Sequence, residues 1–233
     1  MNSLTQDKSL LLGDSKAINA LAKKDSATLL VVSDSHYADS ILYRIVKEYG
    51  PRSDALIFCG DGMSDIASII EKAATEEAFS YCVPPVISIV EGNGDADRYP
   101  VVNPAYYKNK KESVYNELNV PLTQTVIAAG HKIFSTHGHR YALLNGTNAL
   151  VAAAKKEKAD LVFYGHTHIA LAEQKPDMLV LNPGSCARPR GGQPPCFAFI
   201  KIKKDLNYYD YTFYEVTASG DFPGYIPDSF PRW

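Results

Sequence analysis

Short apolar runs and longer amphipathic stretches alternate through the first part of the chain. Residues 28–32, 55–59, 86–90, 132–136 and 161–164 are too short for helices and rich in Val, Ile, Leu and Phe, so they read as buried strands. Between the first three, Ile41, Leu42, Ile45, Val46 and Tyr49, then Ile66, Ile69, Ile70, Ala73 and Ala74, recur at the spacing of one helix face. Gly50-Pro51 stops the first of these helices, and the alanine-rich stretch 147–158 predicts another. Later the pattern changes. Residues 125–129 and 132–136 flank a tight turn at Gly130-His131, 169–174 and 178–181 flank Lys175-Pro176-Asp177, and 197–202 and 208–216 alternate as two late strands. Alternating strands and helices followed by hairpins predict an α/β protein with two packed sheets and helices outside, not one doubly wound sheet.

The ends of the chain are less regular. Residues 1–27 carry a weak helical pattern (Ile18, Leu21, Ala22) and read as an extension lying on the surface, with the main domain at 28–216. Residues 217–233 are rich in proline and aromatics and read as an extended arm over their own domain or over a neighbouring subunit of a homo-oligomer. The charged, aromatic stretch 106–118 reads as a helix over a site entrance, within the poorly patterned region 96–124.

Composition narrows the function classes. A 233-residue chain with 45% hydrophobic and 21% charged residues buries a full core without disulfides. A net charge of -2 gives no ground for general nucleic-acid or membrane-surface binding. Cys59, Cys82, Cys186 and Cys196 form no CxxC pair, which fits reduced thiols and a cytoplasmic setting. The N-terminal residues are too charged around Leu10-Leu11-Leu12 for a signal peptide. No run reaches the roughly 18 apolar residues of a membrane span.

The candidate chemistry sits where the strand runs end. They release Asp34-Ser35-His36, Gly60-Asp61, Gly92-Asn93-Gly94-Asp95, His137-Gly138-His139 and Gly165-His166-Thr167-His168. A His-x-His pair alone is more often two surface residues than a metal site. A whole set of Asp, His and Asn at strand ends suits a divalent cation such as Mn, Fe, Ni or Zn, and the lack of cysteine argues against structural zinc. Two ions about 3.5–4 Å apart, bridged by a carboxylate, require about seven protein ligands. Seven candidates are present: Asp34, His36, Asp61, Asn93, His137, His166 and His168. Only the two aspartates carry charge, so a centre holding two dications and a hydroxide stays positive. Such a centre favours a phosphate ester and lowers the pKa of bound water.

In this order the motifs resemble the calcineurin-like metallophosphoesterases, and most closely the small YfcE-type phosphodiesterases. Thr136-His137-Gly138-His139 and Asn182-Pro183-Gly184-Ser185 followed by Pro189-Arg190 add to the likeness, which spans roughly residues 28–203. The resemblance implies a four-layer α/β/β/α sandwich and two divalent ions, manganese first, with Fe, Ni, Co or Zn as alternatives. It implies one ion on Asp34, His36, Asp61 and His168, and another on Asp61, Asn93, His137 and His166, with hydroxide attacking a small phosphoester. Many members carry histidine where this chain has Gly94. Losing a general acid costs roughly 10²–10⁴-fold and hurts most for alkoxide leaving groups, so a preference for aryl esters is expected.

Around this centre, Asp61, Asn93, His139 and Asp95 are the expected catalytic group, and Asn93, His139 and Arg190 the expected phosphate contacts. His139 fills part of the missing acid's role or stands as a supporting histidine. Asp95 is expected to hold its loop. Arg188 and Arg190 suit a phosphate clamp, with an ordinary solvated side chain the stronger reading for Arg188. His131 is expected to be exposed in its turn, Asn182 to Ser185 to be a structural turn, and Tyr208, Tyr209, Tyr211, Phe213 and Tyr214 to be strand packing. The competing functions are a phosphomonoesterase or nucleotidase with the same site, and a non-catalytic scaffold like the retromer subunit of this fold.

Overall fold

The run that opens the main domain becomes strand β1 (Ser26–Val32), and one sheet is assembled on both its edges. In the computed structural model, which describes residues 4–103, 106, 114–206 and 209–227, β1 pairs in parallel with β2 (Ala55–Phe58), and β2 with β3 (Ile87–Ile89). On its other edge β1 meets β11 (Cys196–Lys203), then β12 (Asp210–Glu215) and the short β13 (Gly224–Tyr225), all antiparallel. A second sheet has the order β6 (Thr123–Ala128), β7 (His131–Thr136), β8 (Leu161–Phe163), β10 (Met178–Pro183), β9 (Ala170–Lys175). Within it, β7, β8 and β10 run parallel.

The strand period of two decides the layers. In β1, Leu29 and Val31 face the second sheet and pack in one core with Ile57, Ile133, Leu161, Phe163, Leu179 and Leu181. Leu30 and Val32 face outward, against Leu42, Ile45 and Val46 of α2 (Asp39–Tyr49) and Ile66, Ile69 and Ile70 of α3 (Met63–Thr75). On the far side Phe134, Val162 and Val180 pack against Leu150 and Ala154 of the helix Asn148–Lys156. The result is the four-layer α/β/β/α order. Each fully buried aliphatic side chain contributes about 1.5–3 kcal/mol.

Three segments depart from expectation. The leading residues are no surface extension. Leu12 is fully buried and exchanges backbone hydrogen bonds with Ile87 at 2.9 and 2.8 Å, adding a rung beyond β3. Helix α1 (Ser15–Lys23), capped by Asp14, then buries Leu21 between the sheets, and the carbonyls of Leu21 and Ala22 accept from Ala129 and Gly130. Its apolar face is only two turns long, which is why periodicity understated it. Second, residues 115–118 are not helical. Tyr115–Asn119 forms β5, paired with β4 (Arg98–Val102), while 107–113 lie outside the described residues. Leu118 alone of β5 is buried, so the pattern is that of a one-sided strand.

Third, His131 is buried. The β6–β7 turn falls on Ala129-Gly130, both at positive φ, one residue earlier than expected. That shift draws the imidazole into β7, where Nδ1 meets Asp160 at 2.6 Å and Nε2 meets the Lys203 carbonyl at 2.8 Å. At the C-terminus, Phe222 packs edge-on to Tyr49 and Phe197, so this part of the arm covers its own domain. Tyr208 and residues 228–233 lie outside the described residues.

Candidate metal centre

The parallel strands of both sheets deliver their C-terminal ends to one rim of the sandwich, the usual place for sites in such sheets. Asp34 and His36 follow β1, Asp61 follows β2, Asn93 and Asp95 follow β3, His137 follows β7, and His166 and His168 follow β8. The loops are laced together by main-chain bonds: Asp34 N–H to the Gly60 carbonyl, His36 N–H to the Asp61 carbonyl, and Gly165 N–H to the His137 carbonyl, each 3.0 Å.

Asp34, His36, Asp61, His166 and His168 all have φ between 46° and 69°. Left-handed backbone costs a side-chain-bearing residue about 1–3 kcal/mol and persists only where surrounding contacts dictate it. Those contacts are visible. The Asp95 carboxylate accepts from the N–H groups of Asp61, Gly62, Met63 and Gly92 at 2.7–3.0 Å. Ser185 Oγ donates to the Asp34 carbonyl at 2.6 Å, and Asn182 Nδ2 donates to the Gly165 carbonyl and Thr167 Oγ1 at 2.8 and 3.0 Å.

These constraints bring one ligand atom each from Asp34, His36, Asp61 and His168 within 4.8 Å of one another. His168 Nε2 is 3.2 Å from Asp34 Oδ1 and 3.0 Å from His36 Nε2. His36 Nε2 is 3.8 Å from Asp61 Oδ2. Ligand atoms bound about 2.0–2.2 Å from one ion at angles of 90–110° are themselves about 3.0–3.5 Å apart, so the closer of these spacings are those of a coordination shell. Beside this group, His137 Nε2 is 3.5 Å from Asp61 Oδ2 and 3.2 Å from Asn93 Oδ1. The His166 ring lies 5.2 Å from that of His137, and the His166 main-chain N–H donates to Asp34 Oδ2. Asp61 stands between the two groups.

Hydrogen bonding fixes the histidine tautomers. Nδ1 of His137 donates to the Cys59 carbonyl at 2.8 Å, and Nδ1 of His168 donates to the Arg188 carbonyl, leaving both Nε2 lone pairs aimed at the carboxylates. Asp34 Oδ1 is buried, and no donor among the described residues reaches it in hydrogen-bonding geometry. A buried carboxylate oxygen facing imidazole lone pairs is costly as it stands and is what a cation satisfies. The donor set therefore fits divalent metal.

Protonation follows from the same surroundings. Burial lowers the pKa of His36, His166 and His139, the last two also feeling His137. Burial acts in the same sense on His137, but its hydrogen bond to Asp61 and the charges of Asp34 and Asp61 outweigh it and raise the pKa. Asp61 is held down to about 2: burial opposes ionisation, and His137, the Gly94 N–H and His36 overcome it.

His139 stands at the edge of the centre, its ring 5.4 Å from His137 and 6.2 Å from His166. Arg190 donates its main-chain N–H to the His168 carbonyl and lines a cleft with His139 and His166. Arg188 contributes its carbonyl to His168. Ser185, expected to belong to a structural turn, holds Asp34, and the pair that sequence reasoning passed over is Ser35–Asp65, whose 2.5 Å bond ties the β1 loop to α3. An acid on the inward face of α3 was the readable signal for that pair.

Residues 28–205 match the model of the calcineurin-like phosphoesterase superfamily domain. The chain belongs to that superfamily. It is 25% identical over 185 residues to the probable metallophosphoesterase YsnB of Bacillus subtilis, covering 78% of this chain and 90% of YsnB. It is 35% identical over 86 residues to phosphodiesterase YfcE of Escherichia coli, covering 36% of this chain and 43% of YfcE. The structure of vacuolar protein sorting 29 from Cryptosporidium parvum superposes with a TM-score of 0.62 at 17% identity, over 87% of this chain and 97% of that one, a likeness of fold. Membership of this superfamily implies divalent metal ions, and the Asp34, His36, Asp61 and His168 cluster is a candidate to hold one.

Proposed function

We propose that this chain is a phosphodiesterase in which Asp34, His36, Asp61 and His168 hold one divalent ion, and Asp61, Asn93, His137 and His166 hold a second. The observation that carries the reading is the meeting of His168 Nε2 and Asp34 Oδ1 at 3.2 Å, both acceptors and both buried. Manganese is the first choice, since the donors are carboxylate, amide and imidazole without sulfur. When bound, the ions polarise phosphate oxygens and make hydroxide available near neutral pH.

The chain's own residues supply the rest. Asp95 fixes the backbone from which Asp61 projects, and Gly94 N–H donates to Asp61 Oδ1 at 2.7 Å. Asn93 and His139 serve the phosphate and its departing oxygen, and Arg190 the group that departs with it. His139, held neutral at neutral pH, passes a proton only from its conjugate acid, so the leaving oxygen receives little help and acidic, aryl leaving groups are favoured. The four free thiols, three of them buried, support a reducing, cytoplasmic setting. Among the described residues no helix is long and apolar enough to cross a membrane.

The test is hydrolysis of bis(p-nitrophenyl) phosphate beside p-nitrophenyl phosphate, after chelation and after manganese is restored. Diester cleavage that returns only with metal, and that Asp61→Asn abolishes, is the expected result. Faster monoester cleavage would make the chain a phosphomonoesterase. The likeness to vacuolar protein sorting 29 favours a scaffold as the second reading. That reading gains if no ester is cleaved with manganese, cobalt or nickel and a stable protein complex is isolated.

A further inference from the structure

Next to His166 the rim opens into a cleft of about 420 Å³ with two kinds of wall. His139, His166 and Arg190 supply nitrogen, and Leu143, Leu144 and Ile169 supply apolar surface. Leu143 and Ile169 are buried, at 6% and 3% exposure, and form fixed parts of the wall. Leu144 is different. It is 83% exposed, although it belongs to the one-turn 3-10 helix Leu143–Asn145 whose neighbour Leu143 is in the core. The turn begins at Ala142, which adopts φ 48°, a left-handed backbone that a methyl-bearing residue rarely takes. The local chain thus accepts backbone strain while holding a large aliphatic side chain in solvent at the cleft. Strain of this kind concentrates at ligand sites.

We infer that this cleft receives an aromatic ring carried by the phosphoester's leaving group, with Leu144 and the Arg190 guanidinium as the groups that select it. The inference rests on the phosphoesterase reading above and adds the place in the fold that receives and selects the leaving group. Three observations support it. The cleft shares His166 with the metal centre, so a group leaving phosphorus on that side enters it directly. It contains His139, an imidazole outside the proposed ligand set whose ring lies 5.4 Å from that of His137. And Arg190, anchored through its own backbone to His168, has no carboxylate partner among the described residues, so its guanidinium is available to lie on a ring face. A small alkyl group would leave the apolar wall wet.

The experiment uses phosphonates, which bind without turning over. Affinities of phenylphosphonate and methylphosphonate are measured by calorimetry on the manganese-loaded full chain, on Leu144→Asp, and on Arg190→Gln. Covering part of a ring with apolar surface is expected to make phenylphosphonate about tenfold tighter in the unaltered protein. Leu144→Asp, a change at an exposed position that leaves the core intact, is expected to bring the two affinities together while methylphosphonate still binds. Arg190→Gln is expected to shrink the ratio as well. Equal affinities in the unaltered protein, or a ratio untouched by Leu144→Asp, would overturn the cleft's role alone. If neither phosphonate binds while manganese does, the phosphoesterase reading falls and the inference falls with it.

Discussion

His168 Nε2 and Asp34 Oδ1 lie 3.2 Å apart at the rim where both sheets end. Neither offers the other a proton, because the His168 proton is on Nδ1, bound to the Arg188 carbonyl, and Asp34 Oδ1 has no donor among the described residues. The fold holds the two acceptors together through left-handed backbone at both residues. A cation between them is what makes this contact favourable, and the surrounding backbone holds the two atoms where it would bind. Several consequences can be measured.

Asp95 is the keystone of the Asp61 loop. Its carboxylate takes four main-chain N–H groups, three of them at the start of α3, which has no side-chain cap of its own. Asp95→Ala leaves them unpaired and removes a negative charge from a helix N-terminus. The expected loss in urea denaturation is about 2–4 kcal/mol. Manganese affinity should fall by about 10–100-fold, as when a ligand's support is removed. Unchanged stability and metal affinity would show that the loop holds itself.

Gly165 is required for space, not for conformation. A Cβ there collides with Ser33 Oγ and comes within 2.7 Å of Asp34 Oδ2. Gly165→Ala should cost about 1–3 kcal/mol and weaken metal binding by displacing Asp34. Ser33 Oγ is itself buried without a partner among the described residues, so Ser33→Ala alone should be nearly neutral. The pair Ser33→Ala/Gly165→Ala should recover part of both losses. Absence of recovery would place the damage elsewhere.

Gly94 leaves room for the missing histidine. A Cβ there meets Asp61 Oδ1 at 3.3 Å, close but without backbone collision. Gly94→His should speed alkyl diesters relative to aryl ones, because a proton donor matters most for the poorer leaving group. Equal change for both would remove the link between this glycine and leaving-group preference.

Proton and metal compete at His137. Its folded pKa is raised above the ordinary 6.5, so in metal-free protein the protonated ring paired with Asp61 stabilises the fold below pH 6.5. That contribution is lost as pH rises through the raised value. Metal needs the neutral ring, so manganese affinity should fall on acidification, with His137 protonating before His36 and His166, whose values are lowered by burial. Imidazole proton shifts followed across pH in metal-free protein give the order. His36 or His166 titrating at higher pH than His137 would contradict it.

The strand runs and the donors at their ends were readable because each depends on local pattern: period two in Leu29 to Val32, and Asp, Asn or His following at once. What was not readable depends on partners distant in sequence. His131 is buried because Asp160 and Lys203 meet it, and nothing near residue 131 announces them. Leu12 joins a sheet through Ile87, a pairing of one rung that has no period to detect. The helix expected over 106–118 fails at 115–118 because the polar residues there mask a strand with a single buried side chain, Leu118. In the site, the donor types were legible, but the tautomers were not, since Cys59 and Arg188 act through carbonyls that every residue possesses.

The most direct test is a crystal of the manganese-loaded chain, with anomalous scattering recorded at the manganese edge. Two peaks about 3.5–4 Å apart are predicted. One should be bounded by Asp34, His36 and His168, the other by Asn93, His137 and His166, with Asp61 touching both. No peak at this rim, or peaks bounded by other side chains, would contradict the account.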